Sequence, residues 1–197
     1  MADIQQIKKS LGHQIADLHI QGIPTGFISS LGQGFVAALY EAIAEDDNSF
    51  GYVAVEDDEV LAFIAFSTNL SKLYKHVALK KGFRFAIILV RRMLSFRVFK
   101  KVIDNILYPS RMKKVGLPSA ELLSIVVSPQ SQGKGIAGQL VEKGLQECKA
   151  RSINKVKVLV SADNELANNL YENSGFEFHS RLDSHGVKSN IYVATLS

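Results

Sequence analysis

The sequence predicts an α/β fold built on a mixed sheet, with a pair of parallel strands in its second half. Three observations carry this expectation. Leu122 to Val127 is nearly unbroken in apolar residues, as a strand covered on both faces requires. Ile136, Leu140, Val141, Leu145 and Cys148 then recur at helical spacing, and Val156, Val158 and Val160 alternate as a strand. Strand, helix, strand in that order needs a crossover connection, which makes the two strands parallel.

The elements follow in order. After a short start near Ile4 and Ile7, the spacing of Leu11, Ile15 and Leu18 predicts a helix over residues 10–20. Gly22-Ile23-Pro24-Thr25-Gly26 is a loop by its Gly and Pro content. Phe35, Leu39, Ala42 and Ile43 mark a second helix, ended by the acidic run Glu45 to Asn48. Tyr52 to Val55 and Val60 to Phe66 flank Glu56-Asp57-Asp58-Glu59 and read as a β-hairpin. Residues 70–110 repeat apolar positions every three to four residues (Phe83, Ile87, Val90, Leu94) and read as long basic helix. Past the parallel strands, Leu166, Ala167, Leu170 and Tyr171 make a short helix. Phe176 to Leu196 looks like closing strands turning at Ser184-His185-Gly186.

Whole-chain properties narrow the class. With 197 residues and 47% apolar content, one domain over 1–197 with a sizeable core is expected. The longest apolar run, Val60 to Phe66, is far short of the ~20 residues a membrane span needs. The single cysteine, Cys148, excludes an internal disulfide and suits a reducing compartment, and the opening residues lack a signal-peptide pattern. A cytoplasmic protein is expected. Residues 80–114 carry a net charge of +10 against −6 for the remainder, a field that favours an anionic partner.

Chemistry concentrates after the first parallel strand. Val127-Ser128-Pro129-Gln130-Ser131-Gln132-Gly133-Lys134-Gly135-Ile136-Ala137 runs from strand end through a glycine loop into a helix. Glycines let several backbone N–H groups converge at the positive end of a helix dipole, which suits a pyrophosphate. Neither G-x-x-x-x-G-K-[ST] nor G-x-G-x-x-G is present.

The loop resembles the acyl-CoA loop of the GNAT superfamily of N-acetyltransferases, [QR]-x-x-G-x-[GA]. Two registers fit, Gln130/Gly133/Gly135 and Gln132/Gly135/Ala137; the second keeps the three-residue step from Pro129 to the Gln and is preferred. A second block, Val158 to Asn164 followed by Ala167, Leu170, Tyr171, Gly175 and Phe176, resembles the superfamily's strand and N-x-x-A-x-x-L-Y-x-x-x-G-F. The likeness is good over 120–180, loose over 1–67 and poor over 68–118, which reads as a basic helical insertion.

The resemblance implies two splayed central strands with acetyl-CoA, the cosubstrate, between them and no metal. Ile125, Val126 and Val127 would pair with the pantetheine, and a strand N–H near Val126 would polarise the thioester carbonyl. Gln132, Gly133, Lys134, Gly135, Ile136, Ala137 and Gly138 would hold the pyrophosphate. Asn164 matches a CoA-contacting Asn, or caps the helix that follows. Tyr171 matches the tyrosine that protonates the leaving thiolate, or packs in the core. Glu121 matches a strand-start Glu that serves some members as base; it is equally readable as a solvated strand-end charge. Ser124 shares that strand and would point into the cleft. Cys148 reads as inert packing.

The acceptor is a small-molecule primary amine on this resemblance, with His19, Thr25 and Phe27 as candidate contacts and His185 as another. The run from His19 to Phe27 resembles members associated with bacterial surface-sugar synthesis, which suggests an amino sugar. A protein N-terminus or lysine is the alternative acceptor, and a silent CoA-binding module the alternative class. Residues 80–114 would meet an anionic acceptor or an anionic membrane surface, or their aromatic residues would fill the core or a homodimer interface. Nucleic acid is not expected: helix-turn-helix, RNP and zinc spacings are absent.

Overall fold

The computed structural model describes residues 2–80, 112, 116–184 and 187–196. The predicted basic helix, the +10 segment and His185 lie outside them, apart from the helical stretch 70–80. The described strands form one seven-stranded sheet. In chain order they are β1 (Asp3–Gln6), β2 (Ser49–Glu56), β3 (Glu59–Ser67), β4 (Ala120–Val127), β5 (Lys155–Ser161), β6 (Glu177–Ser184) and β7 (Val187–Thr195). Their lateral order is β1-β2-β3-β4-β5-β7-β6, and the β4–β5 pair alone is parallel. The helices are α1 (Gly12–Gly22), α2 (Phe27–Ser30), α3 (Gln33–Glu45), α4 (residues 70–80), α5 (Ile136–Ala150) and α6 (Glu165–Asn173).

Sequence accounts for most of these. The β2–β3 hairpin closes through Asp57-Asp58, both in the left-handed region at φ 50° and 63°, which fits a two-residue turn between right-twisted strands. The start near Ile4 is an edge strand against β2, and the presumed loop after Gly26 contains the extra turn α2.

Two cores sandwich the sheet. One face packs Phe66, Leu122 and Val158 against Leu140 and Val141 of α5 and Tyr171 of α6. The other packs Val53 and Phe63 against Ile15 of α1, Val36 and Ile43 of α3, and Leu73 of α4. Close approach is set by two glycines: a Cβ on Gly144 of α5 would overlap the Phe66 ring, and one on Gly22 of α1 would overlap Val126 of β4.

The centre of the sheet departs from regularity twice. Ser124 stands opposite Ala65 while Leu122 stands opposite Phe66, so Leu123 is an extra residue and β4 bulges there. The expectation of a nearly continuous apolar strand missed this. Alternation restarts after the bulge, so Leu123 and Ser124 both border the α1–α3 face. Next, β4 pairs with β5 only at Ala120, Glu121 and Leu122, opposite Val156, Lys157 and Val158. Both strands continue past this ladder, to Val127 and Ser161, without pairing each other. A gap therefore opens in mid-sheet.

Candidate active site

The gap leads at one end to the glycine loop. After β4, residues Pro129–Ser131 make a 3-10 turn, closed by the Ser131 N–H donating to Ser128 O at 2.9 Å. Gly133 and Gly135 follow at φ 75° and 77°, a backbone that side chains rarely adopt, and nothing crowds either position. Conformation therefore demands glycine here. Gly135 is the residue before α5, and buried Ile136 anchors the helix to the core. Gln132, Gly133, Lys134 and Gly135 are exposed, Ala137 and Gly138 half-buried. The Gln132 side-chain amide donates to Val127 O at 3.4 Å, tying loop to strand. The buried Ser128 hydroxyl at the strand end has no protein partner among the described residues.

On the α5 side of the gap stands α6. Its first-turn amide is capped as Asn164 Oδ1 accepts from Ala167 N–H at 3.1 Å. Tyr171 is buried between the rings of Phe176 and Tyr192, 5.6 and 6.4 Å away, and burial raises its phenol well above the ordinary value. It stays protonated near neutrality. Asn168, one turn earlier, uses its whole amide: Nδ2 donates to Ser161 O (3.0 Å) and Asn164 O (2.6 Å), and Oδ1 accepts from Asn190 Nδ2 (2.8 Å) and the Tyr192 hydroxyl (3.0 Å). This network fixes α6 on β5 and β7.

On the opposite face a cavity of about 280 Å³ lies between α1, α3, α4 and the gap. His19, Tyr40, Tyr74, Glu121 and Ser124 supply its polar wall. His19 Nδ1 and the Tyr40 hydroxyl are hydrogen-bonded at 2.7 Å, and Tyr40 is also hydrogen-bonded to Ser124. Burial pulls the His19 pKa down to about 4, so the ring is neutral at pH 7, and burial raises both tyrosine phenols, with the Glu121 charge adding to the effect at Tyr74. Glu121 is buried, and Lys157 Nζ stands 3.1 Å from its Oε2 while donating to Pro118 O at 2.6 Å. The two residues face each other across the short parallel ladder.

Comparison with known proteins agrees with this architecture. Residues 93–176 match the family described as Acetyltransferase (GNAT) family. That segment of the chain is similar to the GNAT acetyltransferases. A relative, the mycothiol acetyltransferase of Beutenbergia cavernae, is 34% identical over 74 residues, which cover 37% of this chain and 25% of that protein. The chain thus matches about a quarter of that relative's length. The GNAT fold is shared along the whole chain with Arabidopsis thaliana NAA60 in complex with acetyl-CoA (TM-score 0.67, 14% identity, 99% of that chain covered). The Escherichia coli ribosomal-protein-S18-alanine N-acetyltransferase gives a TM-score of 0.65 at 14% identity, covering 100% of this chain and 95% of that one. A Staphylococcus aureus N-acetyltransferase gives 0.66 at 18%, covering 100% and 99%.

Within this GNAT fold the candidate residues fall into two groups. Ile125, Val126 and Val127 lie on the stretch of β4 that does not pair with β5, the 132–138 loop follows it, and Asn164 and Tyr171 stand on α6, Tyr171 within the core. Glu121, Ser124 and His19 meet at the cavity on the other face. Thr25 is exposed and Ile28, rather than Phe27, reaches the cavity, because the turn α2 carries that segment past it. Glu121 is neither a solvated charge nor isolated, since Lys157 pairs with it. Tyr40, Tyr74 and Lys157 were missed: two tyrosines on ordinary amphipathic helices carry no motif, and a Lys in an alternating strand reads as solvent-facing. Cys148 is buried, its thiol pushed up to about 12 by burial, and is unreactive packing. Among the described residues no cluster of His, Cys, Asp and Glu could hold a metal, and no helix is long and apolar enough to cross a membrane.

Proposed function

We propose that this protein moves the acetyl group of acetyl-CoA to a primary amine of a small-molecule acceptor, by direct attack in a ternary complex, and that residues 1–197 act as one such unit. The observation that carries the reading is the unpaired stretch of β4 and β5, which joins a glycine-rich helix mouth to a cavity walled by a carboxylate and hydroxyls. Unpaired strand N–H and C=O groups suit an extended amide-bearing arm, and amides at a helix N-terminus suit a pyrophosphate. Acetyl-CoA supplies an activated thioester. The strand, the loop and Asn164 bind and orient it.

Proton bookkeeping then falls to the chain's residues. The acceptor enters as an ammonium and loses a proton towards Glu121 or water, exposing its lone pair. The C–N bond forms, the C–S bond breaks, and the Tyr171 hydroxyl gives its proton to the departing sulfur. The nitrogen sheds its second proton, so amide, free thiol and one net proton are the products. The test is a thiol-release assay with acetyl-CoA and primary amines, together with Tyr171→Phe. That variant should lose ~100-fold or more in kcat while its calorimetric affinity for acetyl-CoA stays within about twofold. Acetyl-CoA binding without thiol release from any amine would replace the transferase reading with a silent CoA-binding module.

A further inference from the structure

The cavity on the α1–α3 face has a composition that selects among amines. Seven of its twelve described lining residues are Leu or Ile, contributed by α2, α3, α4, β4 and β5. None of the twelve is Lys or Arg, and Glu121 is the single full charge among them, since His19 is neutral. Lys157 meets Glu121 from the neighbouring cavity and does not line this one. A carboxylate offers about four acceptor positions, more than one ammonium takes up.

Ser124 strengthens the same preference. Its Oγ donates to Leu123 O at 2.8 Å, and its other neighbour is the Tyr40 hydroxyl, itself bonded to His19 Nδ1 at 2.7 Å. If Tyr40 donates to His19, the serine hydrogen is held by Leu123 O or by the Tyr40 oxygen. If His19 donates to Tyr40, the tyrosine hydrogen goes to Ser124, whose own hydrogen stays on Leu123 O. In both arrangements the serine hydrogen has an acceptor within the protein, so Ser124 can present a lone pair to the cavity. The bulge at Leu123 places this oxygen on the same face as Glu121.

We propose that this cavity takes the acceptor as a cationic primary amine on a compact apolar body, with Glu121 and Ser124 receiving its N–H groups and the Leu and Ile wall burying the rest. This rests on the acetyl-transfer reading above and names the acceptor class for that site. A phosphorylated amino sugar is disfavoured: the described wall holds no cation for its phosphate, and the aliphatic wall would strip its hydroxyls of water without repaying the hydrogen bonds. The volume, about 280 Å³, is at the small end of ligand sites and suits an alkyl or arylalkyl amine rather than a peptide.

The test compares phenethylamine and isoamylamine with glucosamine, glucosamine 6-phosphate and an Ala-started peptide, at fixed acetyl-CoA with thiol release as readout. Wild type should show kcat/KM at least tenfold higher for the two apolar amines than for any other acceptor. Ser124→Ala should raise the amine KM about fivefold with a smaller effect on kcat. Ile28→Lys, at a half-buried cavity position, should raise it more than tenfold by adding a like charge, with acetyl-CoA affinity by calorimetry unchanged. Ile28→Lys keeps the test alive if Ser124→Ala misfolds. Sugar amines or peptide used as well as the apolar amines, or an amine KM unmoved in Ile28→Lys, overturns the cavity assignment and leaves acetyl transfer standing. Failure of the wild type to acetylate either apolar amine overturns the cavity assignment alone, and failure to bind acetyl-CoA overturns both.

Discussion

Asn168 is the residue whose loss should cost most for its size, and the cost can be worked out bond by bond. In Asn168→Ala all four side-chain hydrogen bonds vanish, yet three of the four partners keep another. Ser161 O still accepts from Asn164 N–H (3.1 Å), Asn164 O from the residue-168 N–H (3.0 Å), and the single Tyr192 hydroxyl hydrogen, shared between Asn168 Oδ1 and Glu172 Oε1, turns wholly to Glu172 Oε1 (2.9 Å). Asn190 Nδ2 is left with no partner among the described residues, and its amide cannot swing away because Arg181 Nε holds the other end at 3.0 Å. A stranded buried donor costs about 1–3 kcal/mol, and three weakened sites bring the total to about 2–4 kcal/mol. For a chain of this length that lowers Tm by roughly 4–16 °C. Thermal unfolding of wild type, Asn168→Ala, Asn190→Ala and the double variant measures it. The double variant should be less destabilised than the sum of the singles by at least about 1 kcal/mol, because no buried donor is stranded in it and exposed Arg181 turns to water. A single variant within about 0.5 kcal/mol of wild type, or a strictly additive cycle, would refute the reasoning.

Three other expectations can be checked alongside. Gly144→Ala should destabilise by about 1–3 kcal/mol in a denaturant titration, because the new Cβ meets the Phe66 ring and α5 must move off β3. Gly135→Glu should abolish most acetyl-CoA binding in calorimetry, since it forces a left-handed φ of 77° on a side chain and sets a negative charge at the helix mouth. The third is a pH effect. His19 has a folded pKa of about 4 against ~6.5 unfolded, so the unfolded chain binds the extra proton and stability falls as pH drops from about 6.5 to 4. That loss approaches about 3 kcal/mol at pH 4 and should be missing from His19→Gln in denaturant midpoints taken from pH 7 to 4.5; parallel curves would refute it.

Much of the second half was legible because its chemistry is local. Gly133 and Gly135 announce a turn that needs positive φ, Asn164 sits where a cap must, and Leu122 to Val127 can only be a covered strand. The first half was legible as helices and a hairpin and opaque as a site. His19 stood out as a lone polar residue on a helix, but its partner Tyr40 lies 21 residues on and becomes meaningful only when α1 packs on α3. Glu121 and Lys157 are 36 positions apart in the chain and become neighbours through strand register. The Leu123 bulge has no sequence signal, since a Leu in an apolar run is what either a regular or a bulged strand would show. Physical reasons of the same kind moved Thr25 and Phe27 away from the cavity: a single turn of helix redirects several side chains at once.

The three-residue ladder between β4 and β5 has a mechanical consequence. It is the one lateral seam joining β1–β4 to β5–β7, so the sheet is two leaves on a short spine, with the Glu121–Lys157 pair set into that spine. Backbone amides of β4 and β5 that face the opening beyond Leu122 and Val158 have no strand opposite them, and should surrender their hydrogens to deuterated solvent quickly while amides in the β2–β3 and β5–β7 ladders hold theirs. Whatever extended molecule lies in the opening would slow that exchange and stiffen the two leaves together, so the slot would double as the place where the two halves of the sheet are locked.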